Sequence, residues 1–132
     1  MILAELIGVL RMKIKDRLGK IYIIQHGNET LYKIGFTRSD LLERLLALQI
    51  GNPIEIQVIA YVETDAILHL ERQVHTMISE YHARGEWFDI PNHVLDQVIE
   101  IFGFNRILIK AEDKSTSKHS KVNTFKTSTS TI

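Results

Sequence analysis

Two short runs of β-branched and aromatic residues, only four residues apart, constrain the fold of this chain more than any other feature. The runs read KIYIIQ at residues 20–25 and TLYKIGF at residues 30–36, with HGNE between them. Runs of this composition on either side of a Gly-Asn pair indicate a β-hairpin. With a two-residue turn at that pair, Tyr22 would lie directly opposite Lys33. The hairpin would then hold a phenol and an ammonium side by side on one face of a sheet.

The opposite face of the predicted hairpin is apolar, because it carries Ile21, Ile23, Tyr32 and Ile34. The alternating segment IEIQVIAYVE at residues 54–63 predicts a third strand. A sheet with two apolar faces needs cover on both, so we predict a sheet packed between helices.

Capping residues and apolar spacing predict three helices after the hairpin. The first helix is predicted to begin at Ser39 or Asp40 and to end near Gln49. The second is predicted to begin at Thr64 or Asp65 and to end near residue 81 or 82, and the third begins after Pro91. The segment ARGEWFDIP, before the last helix, is predicted to be a loop.

The two ends of the chain differ from this central part. Residues 1–18 have apolar residues at helical spacing with charged residues between them, which predicts an amphipathic N-terminal helix. We expect this helix to dock on the domain, and a dimer or partner helix is the alternative. Residues 110–132 are rich in Ser, Thr and Lys and are predicted to be disordered. A single domain, residues 19–104, is predicted between them.

The composition excludes several function classes. The chain has no cysteine, which excludes disulfide frameworks, thiolate zinc sites and cysteine nucleophiles, and a reducing, cytoplasmic location is expected. No apolar run reaches the roughly 18 residues that a membrane span needs, so no membrane partner is expected. Acidic and basic residues number 16 each, so any phosphate-binding surface must be local.

Several polar residues lie beside positions that the periodicity assigns to the core. Glu71 borders the apolar arc of the second helix, His75 and His82 follow on the same flank, and Arg44 lies between leucines on the first helix. Each has an ordinary explanation alone, as an ion pair at the core border or as a side chain that reaches water. Together with the phenol and the ammonium of the hairpin, they supply the groups that handle a phosphodiester.

These residues lie in motifs whose order and spacing resemble the GIY-YIG nuclease superfamily, in particular its T5orf172- and MUG113-like branch. KIY at residues 20–22 and KIG at residues 33–35 match the two signatures, with lysine at the first position of each. Arg44 follows at the expected interval, LERQVH at residues 70–75 supplies the glutamate, and GEWFDI at residues 85–90 matches the closing motif. The likeness covers more than half of the chain.

The resemblance implies an α+β fold, with a small three-stranded antiparallel sheet flanked by helices, that cuts nucleic acid with one divalent metal ion. Tyr22 would activate or orient the attacking water, and Lys33 would favour the phenolate or position that water. Arg44 would stabilise charge on the phosphate, His75 would complete the catalytic set, and Glu71 would hold Mg²⁺ or Mn²⁺. The chemistry agrees, because anionic oxygens need cationic donors and hard divalent ions prefer carboxylate oxygen.

The chain departs from the usual pattern at one further place. Leu48 stands where many relatives carry a histidine, one turn after the helix arginine, and His75, one turn after Glu71, is a candidate substitute. Trp87 and Phe88 are interpreted as packing that seats the loop, with base stacking as the alternative.

The leading hypothesis is a metal-dependent endonuclease that acts on DNA, with RNA as a further candidate substrate and with a homodimer through the N-terminal helix as one arrangement. Its setting would be prokaryotic, phage or viral. A second hypothesis is a nucleic-acid-binding module of the same fold that has lost turnover. A third is a zinc-binding or interaction protein that uses Glu71, His75 and His82.

Overall fold

Strands and helices follow one another along the chain in a computed structural model, which describes residues 2–7 and 18–113. The elements are β1 (Gly19–His26), β2 (Leu31–Thr37), α1 (Leu41–Gln49), β3 (Ile56–Thr64), α2 (Ile67–Met77), a 3₁₀ turn (Ser79–Tyr81), β4 (His82–Arg84), β5 (Trp87–Asp89), α3 (Asn92–Ile101) and β6 (Asn105–Lys110).

The six strands form one antiparallel sheet in the order β4-β5-β2-β1-β3-β6. The α+β class is as predicted, but the predicted sheet of three strands was wrong, because those strands are only the centre of the sheet. A hairpin of β4 and β5 extends one edge, within the segment that was predicted to be a loop. β6 extends the other edge. Strands of three residues, such as β4 and β5, are too short to show a period-two pattern in the sequence.

The register of the central hairpin differs from the predicted one. Tyr22 pairs with Gly35, and Lys33 pairs with Ile24. The predicted pairing of Tyr22 with Lys33 was wrong by two residues, because a four-residue connection, residues 27–30, replaces the two-residue turn. A shift of two residues leaves each side chain on its predicted face, since side chains alternate with a period of two. Tyr22 and Lys33 therefore still share a face.

Helices cover both faces of the sheet, as the apolar pattern predicted. On one face, α1 packs against the central strands in a cluster that includes Tyr22, Leu45 and Val58. On the other face, α2 and α3 contribute Val74 and Val98 to a larger cluster. Each fully buried aliphatic side chain contributes roughly 1.5–3 kcal/mol of hydrophobic stabilisation. The predicted site residues lie on the strands and helices that form this two-sided core.

The helix boundaries follow the sequence closely for α1 and less closely for α2. The Asp40 carboxylate accepts a hydrogen bond from the Leu42 amide at 3.3 Å and caps α1 as predicted. α2 begins at Ile67 without a side-chain cap, so neither predicted capping residue caps it. It ends at Met77, earlier than predicted, because Ile78 leaves the helical conformation with φ −107° and ψ 16°. The 3₁₀ turn replaces the predicted last turn.

Most of the predicted N-terminal helix lies outside the described residues, as does the C-terminal tail after residue 113. Residues 3–7 are helical, and the side chains of residues 2–7 are exposed. Residues 8–17 and 114–132 are not among the described residues. Within residues 2–7 and 18–113, no helix is both long and apolar enough to cross a membrane.

Candidate active site

The buried phenol of Tyr22 lies against the backbone of Gly35, its partner across the central hairpin. Tyr22 is only 1% exposed. A β-carbon on residue 35 would lie 2.6 Å from the Tyr22 hydroxyl oxygen and 2.9 Å from Cζ, closer than such atoms approach. The packing of the phenol therefore requires glycine here. The same β-carbon would lie 3.1 Å from Oε1 of Glu86, so the phenol and this carboxylate lie close to the same point above β2.

Arg44 brings a guanidinium to this phenol from α1. Its Nε–H donates a hydrogen bond to the Tyr22 hydroxyl oxygen at 3.3 Å. Leu41 and Leu45 are buried in the cluster that α1 forms with the sheet, which leaves Arg44 half-buried at the border of that cluster. A guanidinium carries five N–H donors, so one bond to the phenol leaves others for a phosphate.

Lys33 is held by a carboxylate that the sequence reasoning did not include in the site. Its Nζ donates to Oε1 of Glu86 at 2.9 Å, with the side chains 14% and 41% exposed respectively. Glu86 lies in the tight turn of the β4–β5 hairpin, where Gly85 has φ +57°. The Ile34 amide donates to the Glu86 carbonyl oxygen at 3.1 Å and fastens this turn to β2. Lys33 is thus paired with Glu86, on the diagonal from Tyr22.

Glu71 presents a carboxylate from α2 to the same region. Its Oε2 atom is buried and has no hydrogen-bond partner within the part of the chain that the structure describes. Burial raises the pKa of the Glu71 carboxyl above its ordinary value, and the Glu86 carboxylate raises it further. His75 and Lys33 act on this pKa in the opposite direction. The Glu71 carboxyl is therefore within electrostatic reach of Lys33 and Glu86.

The carboxylates of this region fit a hydrated divalent cation. A buried carboxylate oxygen without a partner, within electrostatic reach of a second carboxylate, is an arrangement that positive charge stabilises. Glu71 offers the hard oxygen donor that Mg²⁺ and Mn²⁺ prefer, and one protein carboxylate leaves the other coordination positions to water and substrate, while Glu86 is paired with Lys33. Glu71 and His75 also line an open groove of about 360 Å³ along α2, through which such an ion can enter.

His75 lies on α2, whereas His82 lies on β4 and not on the helix flank that the sequence predicted, and both bind backbone carbonyls. Nε2 of His75 hydrogen-bonds the Ile34 oxygen at 2.8 Å, and Nε2 of His82 hydrogen-bonds the Gly85 oxygen at 2.8 Å. Because a carbonyl only accepts, each Nε2 is the donor. Both rings also contact Phe88, with centroids 5.1 and 5.4 Å away. Residues 2–7 and 18–113 contain no group of three metal-ligating side chains, so the zinc cluster of the third hypothesis is not formed there.

The candidate residues form two hydrogen-bonded pairs, Tyr22 with Arg44 and Lys33 with Glu86. Glu71 is within electrostatic reach of the second pair. His75 lies next to Glu71 on α2 and is anchored to β2. Glu86 was not predicted as a site residue, because a glutamate in a turn is ordinarily solvated and the local sequence carries no sign of its contact with Lys33.

The structure is a small α+β domain whose candidate site residues supply a phenol, two cations and two carboxylates. A family model described as the T5orf172 domain matches residues 19–103, which is more than half of the chain. The protein thus belongs to the T5orf172 domain family. No curated protein and no solved structure matches the chain.

Proposed function

We propose that the protein is a metal-dependent endonuclease of the GIY-YIG type that hydrolyses phosphodiester bonds in DNA. The observation that carries the proposal is the buried, unpartnered oxygen of Glu71, which lies within electrostatic reach of Lys33, together with the hydrogen bond from Arg44 to Tyr22, among the described residues. A phosphodiester hydrolase needs a carboxylate for a divalent ion, a group that orients water and a cation for the phosphate. Membership of the T5orf172 family and the GIY-YIG-like motifs support the same activity.

Each residue has a role that follows from its contacts. The Tyr22 hydroxyl, held by Arg44, orients the water that attacks phosphorus, and the remaining N–H groups of Arg44 stabilise the growing charge on the phosphate oxygens. Lys33 contributes a second positive charge to the cleft. Glu71 would hold Mg²⁺ or Mn²⁺, which neutralises charge on the phosphate and on the leaving oxygen when bound. His75 positions the helix that carries Glu71 through its bond to β2.

The test is cleavage of supercoiled plasmid and of single-stranded DNA by the full chain, with Mg²⁺, Mn²⁺ or EDTA. We expect cutting by the wild type with either metal, none with EDTA and none by Glu71→Ala. Glu100→Ala is the matched control, because Glu100 is an exposed glutamate on α3, and it should cut like the wild type. Cutting that survives in Glu71→Ala would refute its role as the metal ligand. No cutting under any condition would refute the nuclease.

The second candidate is a nucleic-acid-binding module of the same fold without turnover. It is favoured by Leu48, which stands at the usual histidine position and packs against the apolar cluster around Tyr22. It is also favoured by the pairing of Lys33 with Glu86, which neutralises one of the two cations of the cleft. This candidate predicts an affinity for DNA that is unchanged by EDTA, together with no cleavage of any DNA substrate.

A further inference from the structure

A row of alternating aromatic and cationic side chains crosses one face of the sheet, from the candidate active site to the sheet edge. Tyr22 on β1 shares this face with Lys33 on β2, because Lys33 is two residues from the Tyr22 partner Gly35. Lys33 pairs with Trp87 on β5, and Trp87 pairs with Arg84 on β4. Directly paired residues of regular neighbouring strands lie on the same face. The β4–β5 register shifts between His82 and Arg84, but Arg84 lines one cavity with Lys33 and Trp87, so the order across the four strands is phenol, ammonium, indole and guanidinium.

A cavity of about 650 Å³ opens at the outer half of this row. Lys33, Trp87 and Arg84 line it together with His26, Asn52 and Glu86. Its volume lies within the range of about 300–1,000 Å³ that is typical of small-ligand sites. It is a different cavity from the groove along α2, and the Lys33–Glu86 pair forms part of its wall on the side of the active site.

The Trp87 ring is held in place but not fully covered. It packs against the cluster around Tyr22 and remains partly exposed. The His26 ring meets it edge to face, with centroids 5.7 Å apart and planes at 89°, and Nζ of Lys33 lies 6.0 Å from the ring centroid. Such contacts orient an indole without occupying all of its surface.

Arg84 supplies a positive charge at the far side of the same cavity. It is exposed on the edge strand β4 and takes part in none of the ion pairs formed within residues 2–7 and 18–113. An exposed aromatic ring that a base can stack on, next to a cation that can bind the phosphate, is the combination that single-stranded nucleic acid requires.

We infer that this cavity binds one unpaired nucleotide of the substrate strand, with the base on Trp87 and the phosphate on Arg84. The inference deepens the proposed function, because it names the class of DNA that the site receives. A base within a duplex has both faces covered by its neighbours and cannot stack on the indole until it is unpaired. The substrate is therefore single-stranded or locally open DNA, with one nucleotide beside the cleft held in this cavity.

Trp87 makes the test direct, because it is the only tryptophan of the chain and its fluorescence reports on its own ring. The full chain carrying Glu71→Ala, in EDTA, is titrated with an unstructured oligothymidine and with a blunt hairpin duplex of the same nucleotide count. We expect the single strand to quench the fluorescence and to bind about tenfold more tightly than the duplex, in line with the usual strength of base stacking on an aromatic ring.

Arg84→Ala on the same background should weaken binding of the oligothymidine several-fold. Arg106→Ala should leave it unchanged, because Arg106 is an exposed arginine on β6, paired with Asp96 at the opposite edge of the sheet. No quenching, equal binding of single strand and duplex, or equal losses in the two arginine variants would each overturn the inference. The outcome is independent of turnover: if the wild type never cuts DNA, quenching that depends on Arg84 still supports the cavity.

Discussion

Gly35→Ala is the change that tests the geometry of the site most directly, because the added carbon has no room. It would lie 2.6 Å from the Tyr22 hydroxyl oxygen and 2.9 Å from Cζ, whereas ordinary contacts begin at 3.4 Å. The phenol must therefore retreat by most of an ångström. It cannot do so freely, because Tyr22 is 1% exposed and packs within the cluster that α1 forms with the sheet.

Overpacking of this kind costs about 1–3 kcal/mol of folding free energy. Replacing a glycine also restricts the unfolded chain, which offsets about 0.4–1 kcal/mol of that cost. We expect a net loss of about 1–2 kcal/mol in the free energy of unfolding. A displacement of about 1 Å at the group that orients the water should lower the rate of cleavage by about 100-fold.

Urea denaturation and the plasmid assay measure the two effects, and two further variants separate them. Gly19→Ala adds a carbon that meets Cδ1 of Ile67 on the other side of the domain, so it should lose stability and retain cleavage. Tyr22→Phe removes the oxygen that the new carbon meets, so Gly35→Ala should cost less stability in that background. If Gly35→Ala is as stable and as active as the wild type, or costs as much without the Tyr22 hydroxyl, the reasoning is wrong.

Three other changes test the charged groups. Arg44→Ala should abolish cleavage. It should lower the free energy of unfolding by less than about 1 kcal/mol, because one hydrogen bond to Tyr22 is lost. A larger loss of unfolding free energy, measured by urea denaturation, would mark Arg44 as a structural residue. The raised pKa of Glu71 means that the folded chain binds its proton more tightly than the unfolded chain. The free energy of unfolding of the metal-free wild type should therefore fall as pH rises from the ordinary glutamate pKa through the raised value. The Glu71→Gln variant should lack this fall. Identical pH profiles for the two proteins would contradict the prediction. Glu86→Gln removes a charge that helps to raise the pKa of Glu71, so the free energy of unfolding, measured by urea denaturation, should fall less over the same pH range. A fall as large as that of the wild type would show that Glu86 does not raise the pKa of Glu71.

The centre of the fold was predictable because each of its elements carries its own sequence pattern. The central hairpin shows two β-rich runs, and α1 shows both a capping residue, Asp40, and an apolar face. The sheet edge formed by β4 and β5 was not predictable, because these strands have three residues each and are ordered by the pairing of β5 with β2 and of β4 with β5. Such strands depend on tertiary contacts, which override a local preference for loop conformation.

The residues of the candidate site were likewise predictable only where the local sequence shows a clear pattern. Tyr22, Arg44 and Glu71 were identified because each is a polar residue among apolar ones, and that contrast is visible in a single sequence. Glu86 shows no such contrast, because a glutamate in a hairpin turn is ordinary. Its contact with Lys33 exists only once the β4–β5 hairpin pairs with β2. The contacts between site residues are therefore harder to predict than the residues themselves, since those contacts depend on how the strands pair.

The register of the central hairpin decides which cation contacts the phenol. In the predicted register Lys33 stands directly opposite Tyr22, and in the structure it stands on the diagonal, where neighbours across two strands are generally farther apart. Gly35 takes the opposite position and leaves space for the phenol, while Arg44 reaches the hydroxyl at 3.3 Å from α1. Since an arginine is charged at every relevant pH and binds through several N–H groups, the phenol has a permanent cationic partner. The phenol therefore contacts Arg44, whereas Lys33, which the sequence placed opposite the phenol, is paired with Glu86.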